Sequence, residues 1–250
     1  MDHIIYTAAG GAARVLEQQA VLSNNMANVS TAGFRAELAH FRSVPVVADQ
    51  GLPTRVMTVT ATPGSDFEQG AMTQTGDALD VAITGDGWLS VQTPTGEALT
   101  RAGQLGVNTR GELVTQQGLP VLGANGGPID IPNRGTVTFT SDGSITVLGA
   151  GDKPNDIQTV GQLKLSNPSA ASLVRGDDGL FRVQGPGAGP IQADPRVKIV
   201  SGFVESSNVS AAETMVGLIA NARQYESQMQ VIQTATTNAD RANSILSSNG

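Results

Sequence analysis

Asp77, Asp80 and Asp86 are the residues whose type and spacing come nearest to catalysis. Paired carboxylates run glycoside hydrolysis when one is held as the acid and the other stands about 5–9.5 Å away as nucleophile or base. Such a pair would make a glycoside hydrolase. Their neighbours argue against it. Asp77 follows Gly76, Asp86 lies between Gly85 and Gly87, and Asp80 falls inside an apolar strand signal from Leu79 to Thr84. Each is therefore expected on a turn or a solvent face.

Other chemistries find less. The two histidines, His3 and His40, have no cysteine beside them and form no familiar metal-ligand spacing. Gly185-Pro186-Gly187-Ala188-Gly189 is glycine-rich, but no Lys-Ser/Thr follows and no helix is predicted after it, so a plain loop is expected. No Gly-x-Ser-x-Gly occurs. Asn28 and Asn208 each begin an Asn-x-Ser triplet at the edge of a helical pattern and are discounted as glycan acceptors. No catalytic residue, cofactor or metal site is expected, and no small-molecule substrate.

Composition narrows the class further. A chain of 250 residues with 39% hydrophobic residues has room for one or two domains and a real core. Aromatics at 4% predict an aliphatic core. The net charge is -7 and the basic residues are scattered, which excludes a nucleic-acid partner. No apolar run approaches the ~20 residues of a membrane span. The first residues lack the basic and apolar regions of a cleaved signal peptide. The absence of cysteine fits a cytosolic protein, or an exported one that does without disulfides.

The elements that would position any site begin at the two ends. Ile5, Ala8, Ala12, Val15, Gln19, Leu22, Met26 and Val29 recur at steps of three and four, the pattern of a helix stripe. Gly33 stands where a helix stop is expected. Ala211, Met215, Leu218, Ala222, Tyr225, Met229, Ile232, Thr236, Ala239, Asn243 and Leu246 repeat the spacing at the other end. Ser210 and Glu213 form a capping box at its start. Both stripes are thin, and Gly10, Gly11, Asn24, Asn25 and Thr236-Thr237-Asn238 are poor helix formers. Polar seam residues fix register at a cost in stability. Two arrangements fit: helices that order against neighbouring subunits, which is the expectation adopted, or an intramolecular hairpin.

Between them the period changes. Leu38, Phe41 and Val44 give a mixed signal, and Val56 to Thr60 reads as a strand. Strand signals then run Leu79–Thr84, Trp88–Thr93, Glu97–Arg101, Glu112–Gln116, Thr136–Thr140, Ser144–Leu148, Gln162–Leu165, Leu180–Gln184 and Arg196–Val204, with turns between. The predicted class is α+β: an all-β central domain inserted between N- and C-terminal coiled-coil-like helices. Residues 1–32 and 208–250 form the terminal helical assembly domain, 33–75 a connecting segment, and 76–207 the antiparallel β-rich domain.

Three motifs in order then carry a family resemblance. Ser23-Asn24-Asn25-Met26-Ala27-Asn28-Val29-Ser30-Thr31-Ala32-Gly33-Phe34-Arg35 closely resembles the N-terminal motif of bacterial flagellar rod and hook proteins, with Met26 where Leu is commoner. Asp80-Val81-Ala82-Ile83, Gly87-Trp88-Leu89, Thr100-Arg101-Ala102-Gly103 and Gly118-Leu119-Pro120-Val121-Leu122-Gly123 resemble the family's β domain. Ser207-Asn208-Val209 through Val231-Ile232-Gln233-Thr234-Ala235 looks like its C-terminal motif. Within the family the opening Met1 to Ala8 and the length look most like a proximal rod subunit, with the distal rod and hook subunits as alternatives. The resemblance implies a structural subunit that stacks with its own copies and other rod proteins into the axial shaft of the basal body. It implies export through the flagellar type III apparatus without a cleaved signal. It makes Asn24, Asn25, Ala27, Asn28, Thr31, Gly33, Phe34 and Arg35 the family motif. It makes Ile5, Ala8, Val15, Leu22, Met26, Val29, Met215, Leu218, Tyr225, Met229, Ile232 and Leu246 the expected subunit interface. Outside the family, a periplasmic peptidoglycan hydrolase and a secreted adhesive β protein remain as rivals.

Overall fold

The computed structural model describes residues 2–39, 41–45, 56–60, 64–132, 135–149, 157–184, 189 and 191–248. His40, the Gly185 to Pro190 loop apart from Gly189, and the side chains of His3 and Leu246 lie outside the described residues. The chain divides into two compact units: residues 1–29, 36–66 and 209–250 form one, and 30–35 with 67–208 the other. Of residues 33–75, 36–66 fall in the first unit, and 33–35 and 67–75 in the second.

In the first unit, helix α1 spans Asp2–Ala27 and helix α2 spans Ala211–Ser248. Helix α2 starts where Ser210 Oγ accepts the Glu213 N–H at 3.3 Å, half of the expected capping box. With 38 residues it is about 57 Å long. Helix α1 stops at Ala27, earlier than residue 32. Asn28 shares its N–H between the Asn24 and Asn25 carbonyls, at 3.1 and 3.2 Å, and caps the Asn24 carbonyl again with its side chain at 2.9 Å. Asparagine competes for backbone groups in this way and unwinds a helix end. Two short antiparallel pairs complete the unit: Glu37–Leu38 with Gly64–Ser65, and Phe41–Pro45 with Val56–Thr60.

The second unit is antiparallel β structure. Its largest sheet has five strands in the order Leu165–Ser166, Trp88–Thr93, Gly96–Thr100, Phe181–Val183, Leu173–Arg175. Thr136–Phe139, Ser144–Leu148 and Gln158–Gln162 form a three-stranded meander, with a register shift at Ile145/Thr146. The predicted strand from 196 to 204 is two strands. Lys198–Ser201 pairs with Val81–Thr84, and Phe203–Glu205 pairs with Met72–Gln74. Gly202, at φ +78°, makes the break. One aliphatic cluster, centred on Leu89, Val91, Leu113, Val121, Ile145 and Leu163, fills the interior. A smaller cluster joins Trp88, Leu99 and Phe181, with the Trp88 and Phe181 rings 4.7 Å apart.

Candidate functional site

The three carboxylates are placed by turns. Asp77 and Asp86 are exposed, and Asp77 Oδ1 accepts the Leu79 N–H at 3.0 Å. Asp80 departs from expectation: it is buried, and it closes the turn from Asp77 ahead of the strand instead of lying inside it. Among the described residues, no group of three or more His, Cys, Asp or Glu could hold a metal ion. None of their helices is long and apolar enough to cross a membrane.

The two long helices carry most of the expected interface residues, and they pack on each other within one chain. Gly11 lies against Gln228 and Leu22 against Gly217, so the pair is antiparallel. At both glycines an added Cβ would come within 3.2–3.3 Å of the facing side chain. The glycines that weaken the helices therefore let them approach. On α1, Ala8, Ala12 and Val15 are buried, and Ile5, Gln19, Leu22, Met26 and Val29 half-buried, so the stripe faces inward. On α2 only part of the stripe does. Leu218, Tyr225, Ile232 and Ala239 are half-buried, whereas Met215, Ala222, Met229, Thr236 and Asn243 are exposed. The inward positions between are Thr214, Asn221, Gln228 and Ala235. Apolar residue type does not mark the phase of this seam within the chain, because most of its residues are polar. Asn221 is the clearest case: 3% exposed, it donates to the Val15 carbonyl at 2.8 Å and to Gln19 Oε1 at 3.0 Å. As a consequence, α2 turns a row of large apolar side chains outward, with Met215 49%, Val216 67% and Ile219 57% exposed.

The family motif divides between the units. In the helical unit, buried Asn25 acts as a strand partner for Glu37. It donates to the Glu37 carbonyl at 2.9 Å and accepts the Glu37 N–H at 2.8 Å. Asn24 and Ala27 are exposed.

In the β-rich unit, Thr31 is exposed, and its carbonyl accepts the Phe34 N–H at 3.3 Å. Gly33 has φ +68° and lies so close to the Arg101 backbone that a Cβ would meet its carbonyl carbon at 2.2 Å. Its N–H donates to the Glu205 carbonyl at 2.7 Å. Phe34 packs under the Arg175 guanidinium, 4.4 Å from the ring centroid. Arg35 is fully buried and approaches Glu205 Oε1 at 2.5 Å. Arg101 Nη1 bonds Glu205 Oε2 at 2.9 Å, its Nη2 donates to the Gly85 carbonyl at 2.6 Å, and its guanidinium lies 5.6 Å from the Trp88 ring. Glu205 Oε1 also accepts the Gly70 N–H at 2.9 Å. Burial pushes the Arg101 guanidinium below its ordinary pKa; Glu205 opposes this and Arg35 adds to it. The Arg35 approach is a charge contact only, since none of its guanidinium nitrogens makes an aligned hydrogen bond among the described residues. Glu205 escaped the sequence argument. Its signal was a lone acid in an otherwise apolar strand, Phe203-Val204-Glu205.

This arrangement binds chain segments to one another; no group in it is set to attack or protonate a substrate. Comparison with known proteins gives the same direction. Three family models match in order: "Flagella basal body rod protein" over residues 5–35, "Flagellar hook protein FlgE/F/G D1 domain" over 82–147, and "Flagellar basal body rod FlgEFG protein C-terminal" over 200–245. The chain is 47% identical to the flagellar basal-body rod protein FlgF of Escherichia coli, with 99% of each chain covered. It is 46% identical to FlgF of Salmonella typhimurium over the same share. A FlgG rod protein of Buchnera aphidicola is 31% identical, covering 86% of this chain and 88% of the relative. The chain belongs to the FlgF family of flagellar basal-body rod proteins.

Proposed function

We propose that the chain is a structural subunit of the proximal part of the flagellar rod, where copies and neighbouring rod proteins stack into the shaft that carries torque to the hook. End-to-end alignment with FlgF relatives is the observation that carries this reading. A FlgF of Buchnera aphidicola at 31% identity covers 100% of both chains, whereas a FlgG at the same identity covers 86% of this one. The outward row at Met215, Val216 and Ile219 supports a subunit contact in addition to the intramolecular seam. Export through the flagellar type III apparatus, with the amino terminus retained, belongs to the same proposal, as does residence in the periplasmic span of the basal body. The carboxylates Asp77, Asp80 and Asp86 have no role in it.

The test is imaging of isolated basal bodies carrying a label in the exposed Ala124–Gly126 turn. Density at the cell-proximal end of the rod is expected. Label at the distal rod or hook would reassign the subunit within the family, and basal bodies without label would end the proposal.

A further inference from the structure

The chain crosses the boundary of the β-rich unit near Ser30, Arg35, Phe67 and Asn208. Glu205, itself close to the last crossing, meets a residue near each of the other three: Gly33 through its carbonyl, and Arg35 and Gly70 through its carboxylate. Two guanidiniums thus share one buried carboxylate, and they are not held alike. Arg101 has the Gly85 carbonyl and the Trp88 ring besides Glu205. Among the described residues, Arg35 has the single 2.5 Å approach and no aligned bond from its guanidinium.

We propose that Glu205 is a one-way clasp: residues 30–35 stay seated in the β-rich unit only while the exit strand Phe203–Glu205 is seated. If residues 30–35 lift away, Arg35 reaches water and Arg101 and Glu205 remain a neutral pair. If the exit strand lifts away, two like charges are left buried together, which a protein interior does not tolerate. Arg35 is the less anchored, so it leaves and takes its segment with it. The Gly33 N–H and the Phe34 carbonyl, which bond the Glu205 carbonyl and the Asn208 N–H, lose their partners in the same event. The coupling itself is reciprocal, but the order of opening is not: residues 30–35 can lift first, whereas the exit strand does not lift alone.

Hydrogen exchange followed by mass analysis on the full chain tests this. In Glu205→Gln, exchange of residues 31–36 should quicken tenfold or more, while Leu113–Val121 is unchanged. Adding Arg35→Gln to that variant removes the surplus charge and should slow residues 31–36 again. Quickening confined to residues 203–206, or a double variant no slower than the single, overturns the clasp. Should Glu205→Gln not fold, the unaltered chain in low denaturant decides. Every opening that exposes 203–206 must also expose 31–36, and a 31–36 segment still protected in such an opening refutes the proposal.

Discussion

Gly33 combines two constraints that a sequence shows only as one. A positive φ costs a β-branched residue about 1–3 kcal/mol, and the Arg101 carbonyl carbon stands where a Cβ would be, at 2.2 Å. Gly33→Val should therefore lose more than strain alone, roughly 3 kcal/mol or above once backbone displacement is added, read as the urea midpoint of the β-rich unit. Glu205 gives a second comparison at this scale. Taking the carboxylate from a buried ion cluster costs about 3–5 kcal/mol. Glu205→Gln should fall in that range, whereas Arg35→Met, which leaves the Arg101–Glu205 pair balanced, should cost less than half as much. Equal losses in denaturant melts would mean that the two guanidiniums are not competing for one carboxylate. Asp142 supplies a pH test. Hydrogen bonds from Thr140, then from Ser144, lower its carboxyl from the ordinary 3.8 to about 2. A depressed carboxyl stabilises the fold above its unfolded pKa and loses that effect as pH falls through the folded value. The Thr140–Ser144 turn should keep its bonds to about pH 4 and release them toward pH 2. A side-chain titration by NMR with its midpoint near 4 would contradict the assigned bonds.

At the scale of elements, legibility followed the strength of the local pattern. Val56–Thr60 and Trp88–Thr93 have the limits that alternation and turn residues predict. Strands of two or three residues, such as Met72–Gln74 and Leu173–Arg175, carry too few positions to show a period and exist through their partners. The Arg196–Val204 run was apolar enough to look like one strand, and Gly202 divided it. The intramolecular helix seam was hidden for the reverse reason: the period was right, but Thr214, Asn221 and Gln228 hold the seam one position ahead of Met215, Ala222 and Met229, which are exposed. Arg35 was legible as a motif residue, but its partner Glu205 and the Arg101 that shares that carboxylate are distant in sequence, and no local pattern joins them. The polar seam makes its own prediction. A buried asparagine in a helix seam fixes register and lowers stability. Asn221→Leu should raise the melting temperature of the helical signal. It should also let disulfides form between engineered cysteines on α1 and α2 in more than one register. A single register, as tight as in the parent, would assign the register to Gly11 and Gly217 instead.

For the whole molecule, the question is what the terminal helices do before assembly. Sequence alone favoured ends that stay loose until neighbours order them. The structure pairs them within one chain, over a thin seam of Ala8, Ala12, Val15, Asn221 and Ala235. Tyr225, half-buried on that seam, is therefore a poor reporter of assembly, because Tyr225→Asp would disturb both contacts. Ile219→Asp separates them: Ile219 is 57% exposed, so the monomer should melt as before while incorporation into the rod is lost. Incorporation at parental levels would remove the outward row from the subunit interface. Trypsin reads the pairing directly. The contacts of Gly11 with Gln228 and of Leu22 with Gly217 set Asp2 opposite the region of Thr237. Arg223 and Arg241 are both exposed, but Arg223 lies on α2 between the contacts at Gly217 and Gln228, whereas Arg241 lies past the position opposite Asp2, where the described part of α1 begins. A helix must open locally before a protease can cut it, and the opening costs least where packing ends. The monomer should be cleaved after Arg241 well before Arg223, and both sites should be protected in assembled rods. If Arg223 is cut as fast as Arg241, the helices of the free chain are not paired, and the ends order only against neighbouring subunits.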